Sequence, residues 1–335
     1  MAGPNDPPPN ALVKIARKIY NPIGFTNGYN FVLWIIFLPV LLTFTLYRFQ
    51  YLDFDGVFCS DIAKSKFNHA APGECFYFKQ QPYKSGIMIH LAGILPAALL
   101  ACVQFMPFIR RRARRFHQIN GKVVIFLSVV GTAGVFVILP RSFGGDVGAQ
   151  IVGWMIGLAF LWALLMAYIG IKRRQIDLHR VWMLRAWFWA GCIITQRIIQ
   201  IVLLKFYNDN PPYYTMPCDK IDFILKDRTL DLYPQCASFY AGENFQQKAA
   251  VRATLNHPTS AVEAAAALDV TFGISTFIAF ALHLSGLELY LLLTSERPEP
   301  RRRIPYNCVD QTCMDPKNDP FLSSKYDTGA RFRRV

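Results

Sequence analysis

Charge is scarce in this chain: Asp, Glu, Lys and Arg make up 17% of its 335 residues, while 53% are hydrophobic. Catalytic signatures are absent as well. No Walker loop, HExxH, GxSxG or zinc-type cysteine cluster occurs, which excludes the nucleotide-binding, zincin, serine-hydrolase and zinc-domain chemistries those patterns carry. No period-two alternation runs through the apolar segments, so a closed transmembrane barrel is excluded too. An inverted repeat of the transporter kind is lacking. No Asn-x-Ser/Thr acceptor exists, so glycosylation cannot report sidedness. The N-terminus shows no signal-peptide pattern: the proline-rich PNDPPPN and the amphipathic ALVKIARKIY precede the first apolar run, which is expected to act as its own membrane signal.

What the chain has instead is long apolar runs. Phe31 to Tyr47, Gly86 to Phe108, Val123 to Leu139, Ile151 to Ile171, Val181 to Leu204 and Val270 to Leu293 each approach the ~20 residues that a helix needs to cross a bilayer. Unpaired backbone in hydrocarbon is so costly that only helix remains. The expected fold is all-α, a polytopic bundle of six transmembrane helices.

Basic residues set its expected orientation, because lysines and arginines in short loops stay on the cytoplasmic side. The loop after the second run holds Arg110, Arg111, Arg112, Arg114 and Arg115, and that after the fourth holds Lys172, Arg173, Arg174 and Arg180; the intervening loop has only Arg141. Both termini then lie in the cytoplasm. The segmentation is a cytoplasmic 1–30, a membrane domain over 31–295 with long outer loops at 48–85 and 205–268, and a basic, disordered cytoplasmic tail over 296–335. The net charge of +14 is explained as a retention signal with some attraction to anionic lipid, and no nucleic-acid partner is expected.

Cysteine placement agrees with this orientation. Cys59 and Cys75 fall in the first outer loop and Cys218 and Cys236 in the last, so four thiols face an oxidising side and should form two disulfides of undetermined pairing. Cys102 and Cys192 read as small core residues, and Cys308 and Cys313 as reduced thiols of the tail. The aromatic-rich outer loops are expected to form a disulfide-pinned cap, either a plain lid or a gate for a lipophilic ligand.

Histidines carry the functional reading. Arg111 and Arg112 stand six and five residues before His117, and Arg173 and Arg174 stand six and five before His179. Both imidazoles therefore follow a basic loop and open an outward helix at similar depth, where two rings could grip one ligand. The bland alternative is that each caps its helix or snorkels to the interface. On the fifth run His179 and Arg197 are 18 positions apart, hence on one face and about 27 Å apart along the axis. Arg185, Gln196 and Gln200 add polar load to that helix, and intramembrane ionisable groups mark function by default. The second run places His90 in its outer turns and Gln104 deeper, with Pro96 between them. The sixth supplies His283 and Glu288, about 140° apart around the axis, so only one of them need face a site. Gly153 and Gly157 carry GxxxG spacing suited to close helix packing.

From His90 through Arg197 the chain resembles the predicted membrane proteins grouped as domain of unknown function 2306. Their pattern is matched by Gln104-Phe105, by His117 with Gly121, by His179-Arg180-x-Trp182-Met183-x-Arg185, by Arg197 and by Glu288; Gln118 departs from an arginine frequent in the family. The resemblance implies architecture only. A partial resemblance to the cytochrome b561 group implies haem b held by His117 and His179, with Arg185 near a propionate; these two histidines would then also be the metal ligands. His90 is a further cofactor-binding candidate, although the fourth run offers it no partner. The competing readings are a haem-independent enzyme, in which His117, His179, Glu288 and Arg197 act on a small lipophilic substrate, and a non-catalytic carrier or scaffold. Each implies a multi-pass protein of the endomembrane system or plasma membrane with the lipid bilayer as partner.

Overall fold

A computed structural model describes residues 11–25, 28–60, 70–207, 210–256, 258 and 260–295. His69, His257, Cys308, Cys313 and the 296–335 tail lie outside them. The chain divides into a main body, Met1–Tyr290, and a C-terminal unit, Leu291–Val335.

An amphipathic α1 (Ala11–Ile23) precedes α2 (Gly28–Arg48). The short α3 (Glu74–Phe78) lies between α2 and α4 (Tyr83–Gln104). After α5 (Pro107–Arg112), α6 (Arg114–Ile138) returns, and a 3-10 segment, Leu139–Gly145, joins it to α7 (Val147–Lys172). Next come α8 (Ile176–Ala190) and α9 (Cys192–Tyr207), β1 (Tyr213–Pro217) and α10 (Cys218–Leu225). The chain continues through the single turns α11 (Thr229–Leu232) and α12 (Ala237–Tyr240), then β2 (Lys248–Arg252) and α13 (Ala261–Ser295).

Among the described residues six spans are long and apolar enough to cross a membrane, as the sequence predicts: Gly28–Leu52, Tyr83–Gln104, Arg114–Gly145, Val147–Lys172, Ile176–Phe206 and Ala261–Thr294. Large apolar side chains such as Ile35, Phe126, Trp162, Ile198 and Leu282 stand exposed around the bundle, which requires lipid as the surrounding solvent. The protein is thus an integral multi-pass α-helical protein. Among the described residues the one addition to an all-α architecture is a two-stranded antiparallel sheet, β1 against β2, pairing Tyr213 with Arg252 and Pro217 with Lys248.

Glycine decides how the spans meet. A Cβ on Gly93 would come within 2.6 Å of the Gly131 backbone nitrogen, and one on Gly134 within 2.5 Å of the His90 nitrogen, so α4 and α6 are in backbone contact. The α7–α8 turn is closed by Arg174 in the left-handed region (φ 59°) and by Gln175 N–H donating to the Gly170 carbonyl at 2.8 Å. A Cβ on Gly170 would lie 2.9 Å from the His179 nitrogen, so this glycine sets how closely α8 begins against α7. Gly153 and Gly157, the GxxxG pair, receive the side chains of Leu139 and Phe136 rather than a second backbone. Asp146 caps α7 by accepting from Ala149 N–H at 3.2 Å.

The fifth span is not one continuous helix. It breaks at Gly191, between α8 and α9, and the break frees the Phe188 carbonyl from its ladder partner. His283 of α13 fills the gap: its Nδ1–H donates to Phe188 O at 2.6 Å, and its Nε2 accepts from the Thr195 hydroxyl at 2.8 Å.

The cysteines of the two long loops pair as Cys59–Cys75 and Cys218–Cys236, each disulfide closed within its own loop. The first sits in an apolar cluster with Tyr51, Phe54, Phe58 and Phe78, packed on Ile87, Leu91 and Ile138 of the bundle. The second lies among Met216, Ile221 and Val251 against Val262, Ala265 and Ala266 of α13. That helix begins eight residues before Asp269, so part of the expected 205–268 loop is helical.

Candidate functional site

Polar groups within the bundle gather at two levels. At the arginine-rich level, the Gln104 amide of α4 donates to the His117 carbonyl of α6 at 2.9 Å. It passes close to Gly121, where an added Cβ would stand 3.4 Å from its Nε2. The Gln-Phe and His-x-x-x-Gly pieces, carried on successive spans, thus form one contact. Gln104 Oε1 and His117 Nδ1 are both buried with no hydrogen-bond partner, a state shared on α8 by the Trp187 and Trp189 indoles. Buried polar atoms are nearly always paired, so two orphans on touching residues mark a place able to receive a further polar group. His179, on α8, is fixed differently. Its Nδ1–H donates to the Ala167 carbonyl of α7 at 2.9 Å, which selects the tautomer whose Nε2 carries the lone pair. The two rings lie within electrostatic reach of each other.

The remaining sequence candidates are spread more widely. His90 donates from Nδ1 to the Gly131 carbonyl at 2.9 Å, inside the α4–α6 contact. Gly131 is 14 residues beyond His117 on α6, which places His90 about 21 Å from the His117 level. Arg185 and Glu288 meet each other: Nε and Nη2 of the arginine donate to the two carboxylate oxygens at 2.7 and 2.9 Å, clasping α8 to α13. Arg185 also stacks over Trp182, 4.6 Å from the ring centroid. Both groups are therefore engaged by a protein partner, and Glu288 and His283, though well apart around α13, both reach the α8–α9 segment. Among the described residues no group of three or more His, Cys, Asp and Glu could hold a bare metal ion.

Arg197 belongs to the opposite, disulfide-bearing level. Its guanidinium lies over Phe143 and Phe272, 5.1 and 5.8 Å from their centroids, and those rings stack on each other at 3.7 Å. Phe143 adopts a left-handed backbone (φ 47°) to reach this position, a conformation that costs a non-glycine residue about 1–3 kcal/mol. The Arg197 Nε is buried without a hydrogen-bond partner. Nearby, Lys220 of α10 and Asp269 of α13 form an ion pair at 2.7 Å with side chains only 2% and 3% exposed. Glu74 of α3 lies within electrostatic reach of Arg197, Asp269 and Lys220; burial pushes its carboxyl up to about 6, against the lowering pull of the Arg197 charge. Tyr77 is raised from its ordinary range by burial, and the Arg141 guanidinium over its ring opposes that rise.

Sequence reading does not single out Glu74, Tyr77, Lys220 or Asp269. Lys220 in particular sits in a short loop helix, α10, whose composition predicts a solvated lysine. Only the fold of the loop over Asp269 makes it one of the most buried side chains in the protein.

Six apolar spans, a disulfide-pinned layer of loops and two polar levels define a polytopic α-helical membrane protein. Within that class, residues 87–217 match the family model described as predicted membrane protein, domain of unknown function 2306. The match runs from α4 to β1, and so includes Gln104, His117, His179, Arg185 and Arg197. No curated protein and no solved structure matches the chain.

Proposed function

We propose that the protein is a membrane redox protein that binds one b-type haem between His117 and His179 at its arginine-rich level. The observation that carries this reading is the complementary state of the two imidazoles. His179 is pinned through Nδ1 to a backbone carbonyl, the outer-shell arrangement typical of metal-bound histidine, which leaves Nε2 available as a ligand. His117 has a buried ring nitrogen with no protein partner. Two imidazoles suffice for haem although they do not for a bare ion, because the porphyrin supplies the other four donors. Arg110 lies within electrostatic reach of His117, and Arg185 is occupied by Glu288. Bound haem would supply one-electron transfer. The chain's own contribution is to orient the His179 ring through Ala167, to anchor the His117 backbone through Gln104 and to keep the site within an apolar bundle. By the distribution of basic residues the site belongs on the cytoplasmic side.

The test is the visible spectrum of full-length protein purified in mild detergent, oxidised and reduced. A Soret band is expected, lost in both His117→Ala and His179→Ala and retained in His90→Ala. A colourless wild-type protein, or a haem band indifferent to both substitutions, overturns the reading.

A further inference from the structure

The least buried of the six spans is the one formed by α2, and an apolar groove of about 520 Å³ runs between it and α9. Pro39, Val40, Thr43, Phe44 and Tyr47 line one wall and Ile194 the other. The volume falls in the range of small-molecule sites, about 300–1,000 Å³. Val40 and Tyr47 are about half exposed, so the groove opens sideways to the bilayer.

The end of this groove at the disulfide-bearing level carries positive charge. Arg48 follows Tyr47 directly at the end of α2, and its guanidinium lies over Phe44, Tyr47 and Tyr51 at 5.2, 5.8 and 4.7 Å while donating to the Tyr51 hydroxyl. Arg197 stands three residues beyond Ile194, one turn further along the same face of α9. The two guanidiniums are close enough to feel each other's charge. Among the described residues neither has a carboxylate within ion-pairing distance, and Glu74 is the acid within electrostatic reach of Arg197. Two like charges at the edge of a low-dielectric region are costly, and Glu74 offsets that cost only in part because burial disfavours its ionised form.

We propose that this groove binds a single-chain lipophilic carboxylate, with its chain along α2 and α9 and its carboxylate between Arg48 and Arg197. An arginine fork matches a carboxylate in both charge and shape. A volume in the small-molecule range favours a free acid over a bulkier diacyl lipid. The site is at the opposite level from the paired histidines and stands independently of the haem reading.

The test uses full-length protein in nanodiscs of neutral phosphatidylcholine and the fluorescent probe cis-parinaric acid. Saturable binding is expected, with Arg48→Gln and parinaric methyl ester each weaker by about tenfold or more, the loss of a charge-assisted hydrogen bond. Thr43→Trp, which fills the groove at a lipid-facing position, is expected to abolish binding without lowering the melting temperature. Equal binding by wild type, Arg48→Gln and Thr43→Trp overturns the proposal. So does equal affinity for the methyl ester, or displacement of the probe by phosphatidylglycerol in the disc, which would assign the arginines to bilayer headgroups.

Discussion

Lys220 and Asp269 show how much a single side chain can matter here, since removing one partner of a buried ion pair typically costs about 3–5 kcal/mol by stranding the other charge. Glu74, beside that pair, behaves in the opposite sense. Its carboxyl is raised from 4.5 to about 6, so the folded cap takes up a proton that the unfolded chain would release. The sign follows from linkage: the contribution to stability is complete below pH 4.5 and is lost as pH rises through about 6. Glu74→Gln is neutral throughout. It should therefore melt at a higher temperature than wild type at pH 7.5, and the difference should vanish near pH 4.5. A variant less stable than wild type at pH 7.5 would mean that attraction to Arg197, not burial, dominates at this carboxyl.

Among the elements, the α4–α6 pair rests on glycine and the α8–α9–α13 group on polar clasps. In lipid there is no hydrophobic drive to hold helices together, so close backbone packing and interhelical hydrogen bonds carry the association. The glycines differ sharply in consequence. A methyl group on Gly93 would meet the Gly131 backbone at 2.6–2.7 Å, whereas one on Gly286 in α13 meets nothing within 4 Å. Gly93→Ala is expected to destabilise by about 1–3 kcal/mol through overpacking. Gly286→Ala should instead stabilise by about 0.5–1 kcal/mol through reduced backbone freedom. Thermal unfolding of the two variants in the same detergent measures the contrast, and similar shifts in both would show that α4 and α6 can part without cost. His283, which satisfies the broken ladder at Gly191, explains why a histidine in the last span need not belong to any reaction.

For the molecule as a whole, arginine clusters stand at one level and two disulfides at the other, and both distributions predict the same orientation: arginines in the cytoplasm, disulfides outside. In intact cells treated with an impermeant reductant, an impermeant maleimide should label cysteines released from the Cys59–Cys75 and Cys218–Cys236 bonds. A cysteine introduced by Arg115→Cys should react only after permeabilisation. Labelling of Arg115→Cys in sealed cells would invert the topology. The disulfides, separated by 16 and 18 residues, each constrain a short loop by an amount of order 3 kcal/mol, so reduction should loosen the cap and leave the spans in place.

What the chain's linear order determines is the set of properties that depend on runs and counts: six apolar stretches, the sidedness expected from arginines, and cysteines grouped by loop. A bilayer reads these locally, because hydrocarbon forces backbone pairing within each span and the flanking charge resists translocation. The contact of Gln104 with His117 and the occupation of Arg185 by Glu288 depend instead on which helix faces turn toward each other. The burial of Lys220 on Asp269 and the break at Gly191 filled by His283 have the same origin. Those faces are selected by close approach at Gly93, Gly131 and Gly170 and by polar clasps between distant segments, such as Arg185 and Glu288, 103 residues apart. Such pairings have no period and no fixed spacing, which is why only the tertiary structure could decide them.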